Sequence, residues 1–257
     1  MKAWLLVLIV AVIAQVFAWL WQRRTGNATL VDAVWAFGVG VSAMLLALLG
    51  QGANLPRLLL ATLAGIWGLR LGLHLLRRAL HESEDGRYAH LRAHWGNDQR
   101  KWFGFFMVQA LLIALFALPF VPVAANPEGI FGISDFFAIA IWLIAIAGEW
   151  QADAQLARFR ANPEHRGQVC RSGWWRYSRH PNYFFEWLHW FAYPLLAWGA
   201  PHWWLAWLGP VVMYVFLRWL SGIPWTEAQS LRSRGEAYRE YQRTTSILIP
   251  WFPRSPR

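Results

Sequence analysis

GISDFFAIAIWLIAIAGEWQA, residues 132–152, is the stretch that decides the fold class. A run this long and this apolar matches the ~20 residues an α-helix needs to cross a bilayer. Six further runs of similar character lie at 3–22, 29–50, 57–76, 102–123, 183–200 and 203–222. The chain therefore reads as all-α, a polytopic membrane protein with a seven-transmembrane-helix bundle, forming a single membrane domain over 1–257. The first run does not read as a cleavable leader, because its apolar core is too long and Trp19, Leu20 and Trp21 follow it instead of a small-residue cleavage site.

The charges agree with this reading. Net charge is +10, which on a soluble protein would point toward nucleic acid. Here the basic residues sit in loops. Arg23 and Arg24 follow the first run, and Arg77, Arg78, Arg87, Arg92, Arg100 and Lys101 separate the third from the fourth. Arg158, Arg160, Arg166, Arg171, Arg176 and Arg179 separate the fifth from the sixth, and Arg232, Arg234, Arg239, Arg243, Arg254 and Arg257 follow the seventh. The alternate loops 51–56, 124–131 and 200–202 contain no basic residue. Positive loops stay on the cytoplasmic side. The expected topology has a periplasmic N-terminus and a cytoplasmic C-terminus in a bacterial inner membrane, with membrane lipids as surroundings, no nucleic acid and no obligatory protein partner. The 20 tryptophans suit the membrane–water interface, where one ring edge is apolar and the other wet. The single Cys170 excludes an intramolecular disulfide.

Ionisable groups in apolar helices are costly, so each needs a reason. Glu149, Asp153 and Arg160 fall within ~40° of one line on a 3.6-residue helix. Asn182, Glu186, His189 and Tyr193 share a face of the sixth run, and Arg70, His74 and Arg77 share one on the third. Asp32 stands at the start of the second run, close to Trp35. Together these groups imply a polar cavity open to the cytosol. Each has a plainer reading beside it. Glu149 and Asp153 can pair with Arg70 or Arg77 to hold helices together, and Asp32 can cap its helix. His189 reads as packed, with no second histidine at ligand spacing and so no metal site. Arg23, Arg24, Arg254 and Arg257 read as topology signals. Gly38-Val39-Gly40-Val41-Ser42-Ala43 follows no strand and reads as small residues for close helix packing.

The segment RSGWWRYSRHPNYFFEW, residues 171–187, is denser than topology requires. Arg171, Arg176, Arg179, His180 and Asn182 crowd one turn, and Pro181 restrains the backbone where a helix begins. Arginines beside a helix N-terminus make an anion site, and a phosphate-bearing cofactor is its natural ligand.

RYSRHPNYFFEW at 176–187 resembles the signature of membrane steroid 5-alpha-reductase-like proteins, in particular the bacterial DUF1295 branch. Gln151-Ala152-Asp153 with Arg160, Arg70 with His74, Glu84-Asp85-Gly86-Arg87-Tyr88, and the run from Gly235 through Arg243 to Ile249-Pro250 extend the resemblance from about residue 28 to the C-terminus. The resemblance implies NADPH-dependent reduction of a carbon–carbon double bond conjugated to a ketone. The substrate is lipophilic and enters from the bilayer, and the cofactor occupies a helical cavity near the cytosolic face. By similarity Asp153, Arg160, Asn182 and Glu186 fall on cofactor-binding positions, as do Arg77 and Arg87. Arg171, Tyr177, Arg179 and His180 of the motif and Arg243 of the C-terminal element join them. Asp32 and His74 take the catalytic positions, Asp32 as a protonated carboxyl contacting the substrate carbonyl and His74 as a proton donor where mammalian enzymes use tyrosine. Trp35 and Tyr193 are assigned to the substrate.

Two other functions compete. A methyltransferase using S-adenosylmethionine, of the isoprenylcysteine type, shares the Arg-His-Pro-x-Tyr element but needs fewer phosphate-binding arginines. A transporter needs polar groups at both membrane faces, and the outer half of these runs is nearly all apolar.

Overall fold

The computed structural model describes residues 2–255; Arg257 lies outside them. Among the described residues there is no strand, only an isolated parallel bridge between Ser178 and Ser246. The chain divides into two compact units, one of Met1–Phe136 with Tyr193–Gly209, the other of Phe137–Ala192 with Pro210–Arg257.

The first unit begins with α1 (Lys2–Thr25), α2 (Leu30–Leu49) and α3 (Asn54–His81). The short α4 (Gly86–Trp95) follows, then α5 (Gln99–Ala117) and the single turn α6 (Phe120–Ala124). α2 and α3 meet through glycine. A Cβ built on Gly68 would lie 2.7 Å from Gly40 Cα, and one on Gly40 would lie 3.1 Å from Gly68 Cα. Small residues let two backbones approach this closely without help from a hydrophobic effect that lipid does not supply. The Gly38–Ala43 stretch thus packs helices. Where chain turns expose backbone groups, polar side chains meet them. Arg57 donates to the carbonyls of Ala47 and Leu48 at the end of α2, at 2.6 and 3.0 Å. Asn126 Nδ2 donates to Leu196 O at 2.7 Å.

The second unit contains α7 (Ile133–Ala161) from its second turn onward, α8 (Pro181–His189), most of α10 (Leu208–Val215), α11 (Ile223–Arg234) and α12 (Glu236–Thr244); between α8 and α10 lies α9 (Ala192–Leu196). A π turn, Phe216–Leu220, follows α10. α7 has 29 residues, and Gly148 on it leaves room for the Phe185 ring of α8.

Six segments are long and apolar enough to cross a membrane: Lys2–Thr25, Leu30–Leu49, Asn54–His81, Gln99–Ala117, Ile133–Ala161 and Trp203–Arg234. They take in the expected runs at 3–22, 29–50, 57–76, 132–152 and 203–222 and most of the run at 102–123. The run at 183–200 is different. It breaks into α8 and the five-residue α9, and Tyr193 belongs to the first unit while Asn182, Glu186 and His189 belong to the second. Pro194 explains the break: it has no N–H for the Trp190 carbonyl, and its ring clashes with that carbonyl in a continuous helix. The shared face from Asn182 to Tyr193 therefore does not exist as one helix stripe.

Gly68→Leu should lower the thermal unfolding midpoint in detergent by the equivalent of about 1–3 kcal/mol, as overpacking does. Gly104→Leu is the control, since a Cβ there meets nothing within 4 Å. Equal midpoints for the two variants would remove the glycine contact from the packing.

Candidate functional site

In the first unit the polar residues converge on α4. Asp85 caps this helix, accepting from Arg87 N at 3.0 Å. The same carboxylate takes Arg87 Nε at 2.9 Å, and Arg87 Nη2 reaches Asp32 Oδ2 on α2 at 2.7 Å. Tyr88 Oη donates to the other Asp32 oxygen at 2.6 Å. Glu84 supports the cluster from the side: it accepts from Ala28 N at 2.8 Å and binds Arg92 through both oxygens at 2.9 and 2.7 Å. Thr29 Oγ1 accepts from Asp85 N at 2.9 Å. α2 and α4 are thus stitched together by carboxylates around one arginine and one phenol.

Asp32 does not cap its helix. Thr29 occupies the cap position, and both Asp32 oxygens accept from Arg87 and Tyr88. In this arrangement both oxygens of the carboxyl that the resemblance assigns to the substrate carbonyl face partners within the protein. The donor is Tyr88. Burial, then the Asp32 charge, pushes its phenol well above the usual range, so the O–H is retained. Burial works against the Arg87 charge, but Asp32, Tyr88 and Asp85 outweigh it and raise its pKa. Burial likewise pushes Asp85 up, yet the hydrogen bonds and charge of Arg87, with Arg78, hold its carboxyl below the ordinary range.

His74 and Arg77 have exposed side chains on α3, and neither joins this cluster. Trp35 stacks edge-on against Trp67 and Phe116, at 6.2 and 5.1 Å between ring centroids. Tyr193 is fully buried with its ring 4.7 Å from that of Phe120.

The second unit holds three polar groupings. Asn182 Nδ2 donates to Asp153 Oδ1 at 3.0 Å, which joins α8 to α7. Glu186 is buried and accepts from Trp190 Nε1 at 3.4 Å, while His189 Nδ1 lies 2.7 Å from the Glu186 carbonyl oxygen, so His189 is the packed histidine expected. Arg160 is exposed near the end of α7.

Arg179 and His180, expected among the cofactor ligands, instead meet Glu227. Arg179 Nε lies 2.6 Å and His180 Nε2 3.3 Å from Glu227 Oε1. Arg179 Nη1 also donates to the carbonyls of Gln242 and Thr245, and Gln242 Nε2 donates to Glu227 at 2.9 Å. Arg179 is only 8% exposed. Its guanidinium fastens the end of α12 to the turn before α8. Arg171 pairs with Glu240 at 3.2 Å and Arg243 with Glu236 at 2.9 Å, both exposed on α12.

The third grouping lines an open depression in the surface. A volume of about 310 Å³ is lined by Gln155, Gly173, Trp174, Arg176 and Tyr177. Gln155 Oε1 accepts from Trp174 N at 2.9 Å, and Trp174 Nε1 donates to Gln151 at 3.2 Å. Gly173 has φ +59°, a left-handed conformation that favours glycine, and the end of the Gln155 side chain lies where a Cβ would stand. Tyr177 and Arg176 come from the motif at 176–187; Gln155 and Trp174 carry no motif signal and were missed, as was Glu227.

The model of a family described as a protein of unknown function, DUF1295, matches residues 18–245. The chain belongs to the DUF1295 family. This family comprises membrane proteins related to steroid 5-alpha-reductases, which with the six spanning segments makes this DUF1295 member an integral membrane protein. A search of the curated proteins gives no match. The matched span includes every site residue named above.

Arg179→Ala should destabilise this DUF1295 protein by about 3 kcal/mol, because it removes the charge that faces a half-buried carboxylate and leaves His180 and Gln242 as its partners; thermal unfolding measures it, and a loss near zero would mean the pair is idle. Burial pushes the His180 imidazole below its ordinary range, and the bond to Glu227 does not cancel this. The unfolded chain then binds that proton more readily. Stability should be present above about pH 6.5 and fall as pH drops through the lower folded value. His180→Asn should flatten that dependence in a melting series.

Proposed function

We propose that the protein is an NADPH-dependent reductase of the carbon–carbon double bond in a lipophilic α,β-unsaturated ketone. It acts in the bacterial inner membrane with its arginine-rich helix ends in the cytoplasm. The observation that carries this reading is the Asp32–Tyr88–Arg87 cluster, a phenol and a guanidinium held by one carboxylate where apolar helices end.

The second unit contains residues whose chemistry suits a nucleotide. Trp174 and Tyr177 offer aromatic walls, Gln155 an amide and Arg176 a guanidinium around one depression. Its volume of about 310 Å³ suits the adenosine phosphate half of a dinucleotide. Asp153 and Asn182 present further polar atoms, and Arg160 a cation. Arg179 is bonded through Nε and Nη1 to Glu227 and to the Gln242 and Thr245 carbonyls.

NADPH, when bound, would supply a hydride to the carbon β to the ketone. Negative charge then grows on the carbonyl oxygen, and Tyr88 Oη–H and Arg87 Nη2 are the donors that stabilise it. Asp32 orients both donors and keeps Arg87 charged. The α carbon takes its proton from water, in the role that the sequence assigns to His74. Apolar helices around this cluster admit a substrate from lipid.

Tyr88→Phe should reduce turnover of a lipophilic enone by two to three orders of magnitude, the about 3–4 kcal/mol that one such donor is worth. NADPH affinity, read by thermal shift, should stay nearly unchanged. Because the phenol stays protonated, turnover should show no loss between about pH 7 and pH 9 from its ionisation. Thermal shift by S-adenosylmethionine with none by NADPH would replace the reductase with the methyltransferase.

A further inference from the structure

α1 buries one seam, formed by Val7, Ala11, Gln15, Ala18 and Gln22. Two of these five are glutamines in a helix otherwise almost wholly apolar. Gln15 and Gln22 are 0% and 1% exposed, and neither the amide nitrogen nor the amide oxygen of either has a hydrogen-bond partner among the described residues. Trp19 Nε1 is in the same condition. Residues 15, 19 and 22 fall within ~60° on the helix, so these groups form a single line.

The neighbouring helix α5 continues the line. Trp4 Nε1 donates to Ala114 O at 3.0 Å, and Trp19 packs on Phe103 at 5.2 Å, so the two helices run antiparallel. That register puts Gln22 level with the first turn of α5, where Gln99 Oε1 is also buried without a partner. Gln99 Nε2 meanwhile donates to Asn97 at 2.7 Å, on an exposed loop. Gln15 lies ten residues from the end of α1, about 15 Å in, close to the middle of the apolar layer.

We infer that α1 and α5 form a hydrated crevice, with water as the ligand of Gln15, Trp19, Gln22 and Gln99, opening at the arginine-bearing ends of these helices. An amide closed off in apolar surroundings with no partner is strongly disfavoured, and several in a row are not retained in a dry seam. A second copy of the chain cannot satisfy them, because the glutamines face inward. Ala11 and Ala18 interleave with the glutamines along the same seam. Arg23 lies over the Trp19 ring at 5.7 Å, at the wet end of the line. Gln15 precedes the stretch matched by the family model, so the crevice is not a property carried by that match.

The first test needs no variant. In lipid-embedded protein, water-edited solid-state NMR reads how soon each side chain receives magnetisation from water. The Gln15 and Gln22 side-chain amides should build up as early as loop amides. Build-up as late as that of the buried Trp67 indole would overturn the crevice. The second test places single cysteines in a Cys170→Ser background. Only a thiolate reacts with a methanethiosulfonate, so Gln15→Cys and Gln22→Cys should label about ten-fold or more faster than Leu60→Cys and Ala110→Cys, both fully buried in helices of the same unit. Equal rates at all four positions would leave the seam dry.

Discussion

A backbone surrounded by lipid has no water to bond with, so every N–H and C=O must find its partner inside the protein. Helices meet that demand along their length and fail at their ends. The places where this chain departs from straight helix are therefore the places where polar side chains collect. Arg57 covers the last carbonyls of α2, Asn126 covers the Leu196 carbonyl beyond the Pro194 break, and Arg179 covers two carbonyls at the end of α12.

The same demand explains the charges. Arg87 stands among Asp32, Asp85 and Tyr88, Arg92 is clamped by Glu84, and Arg179 by Glu227. A guanidinium is well suited to these positions, because its planar fork serves two or three acceptors at once. In the first unit this pairing sets a buried phenol against a carboxylate that also holds a guanidinium, and so joins α2 to α4.

How much of this was legible in the sequence depended on the physics involved. Long apolar runs report burial in lipid directly, so α1, α2, α3, α5 and α7 were all visible. The split at 190–191 was not, since hydropathy continues through it; only Pro194 signalled it. Gly40 and Gly68 could be read as packing residues because small size has few other uses in such a helix. Among site residues, the Asp153–Asn182 contact lay within the motif-based reading. Density of donors marks an anion site around Arg179 and His180, and the anion that the structure places there is Glu227, forty-eight residues from Arg179 along the chain, which no local pattern announces. Tyr88 stood in the quoted Glu84-to-Tyr88 element, yet nothing local says that a phenol there reaches Asp32. Gln15 and Gln22 were passed over within a run that hydropathy averages to apolar.

α7 has a mechanical consequence. Its 29 residues span about 43 Å, against about 30 Å of hydrocarbon. A helix of this length is not covered by lipid tails from end to end, so part of it projects as a rigid extension of the same rod that is embedded in them. What projects is then positioned by a rod fixed against the bilayer instead of by the slack of a loop.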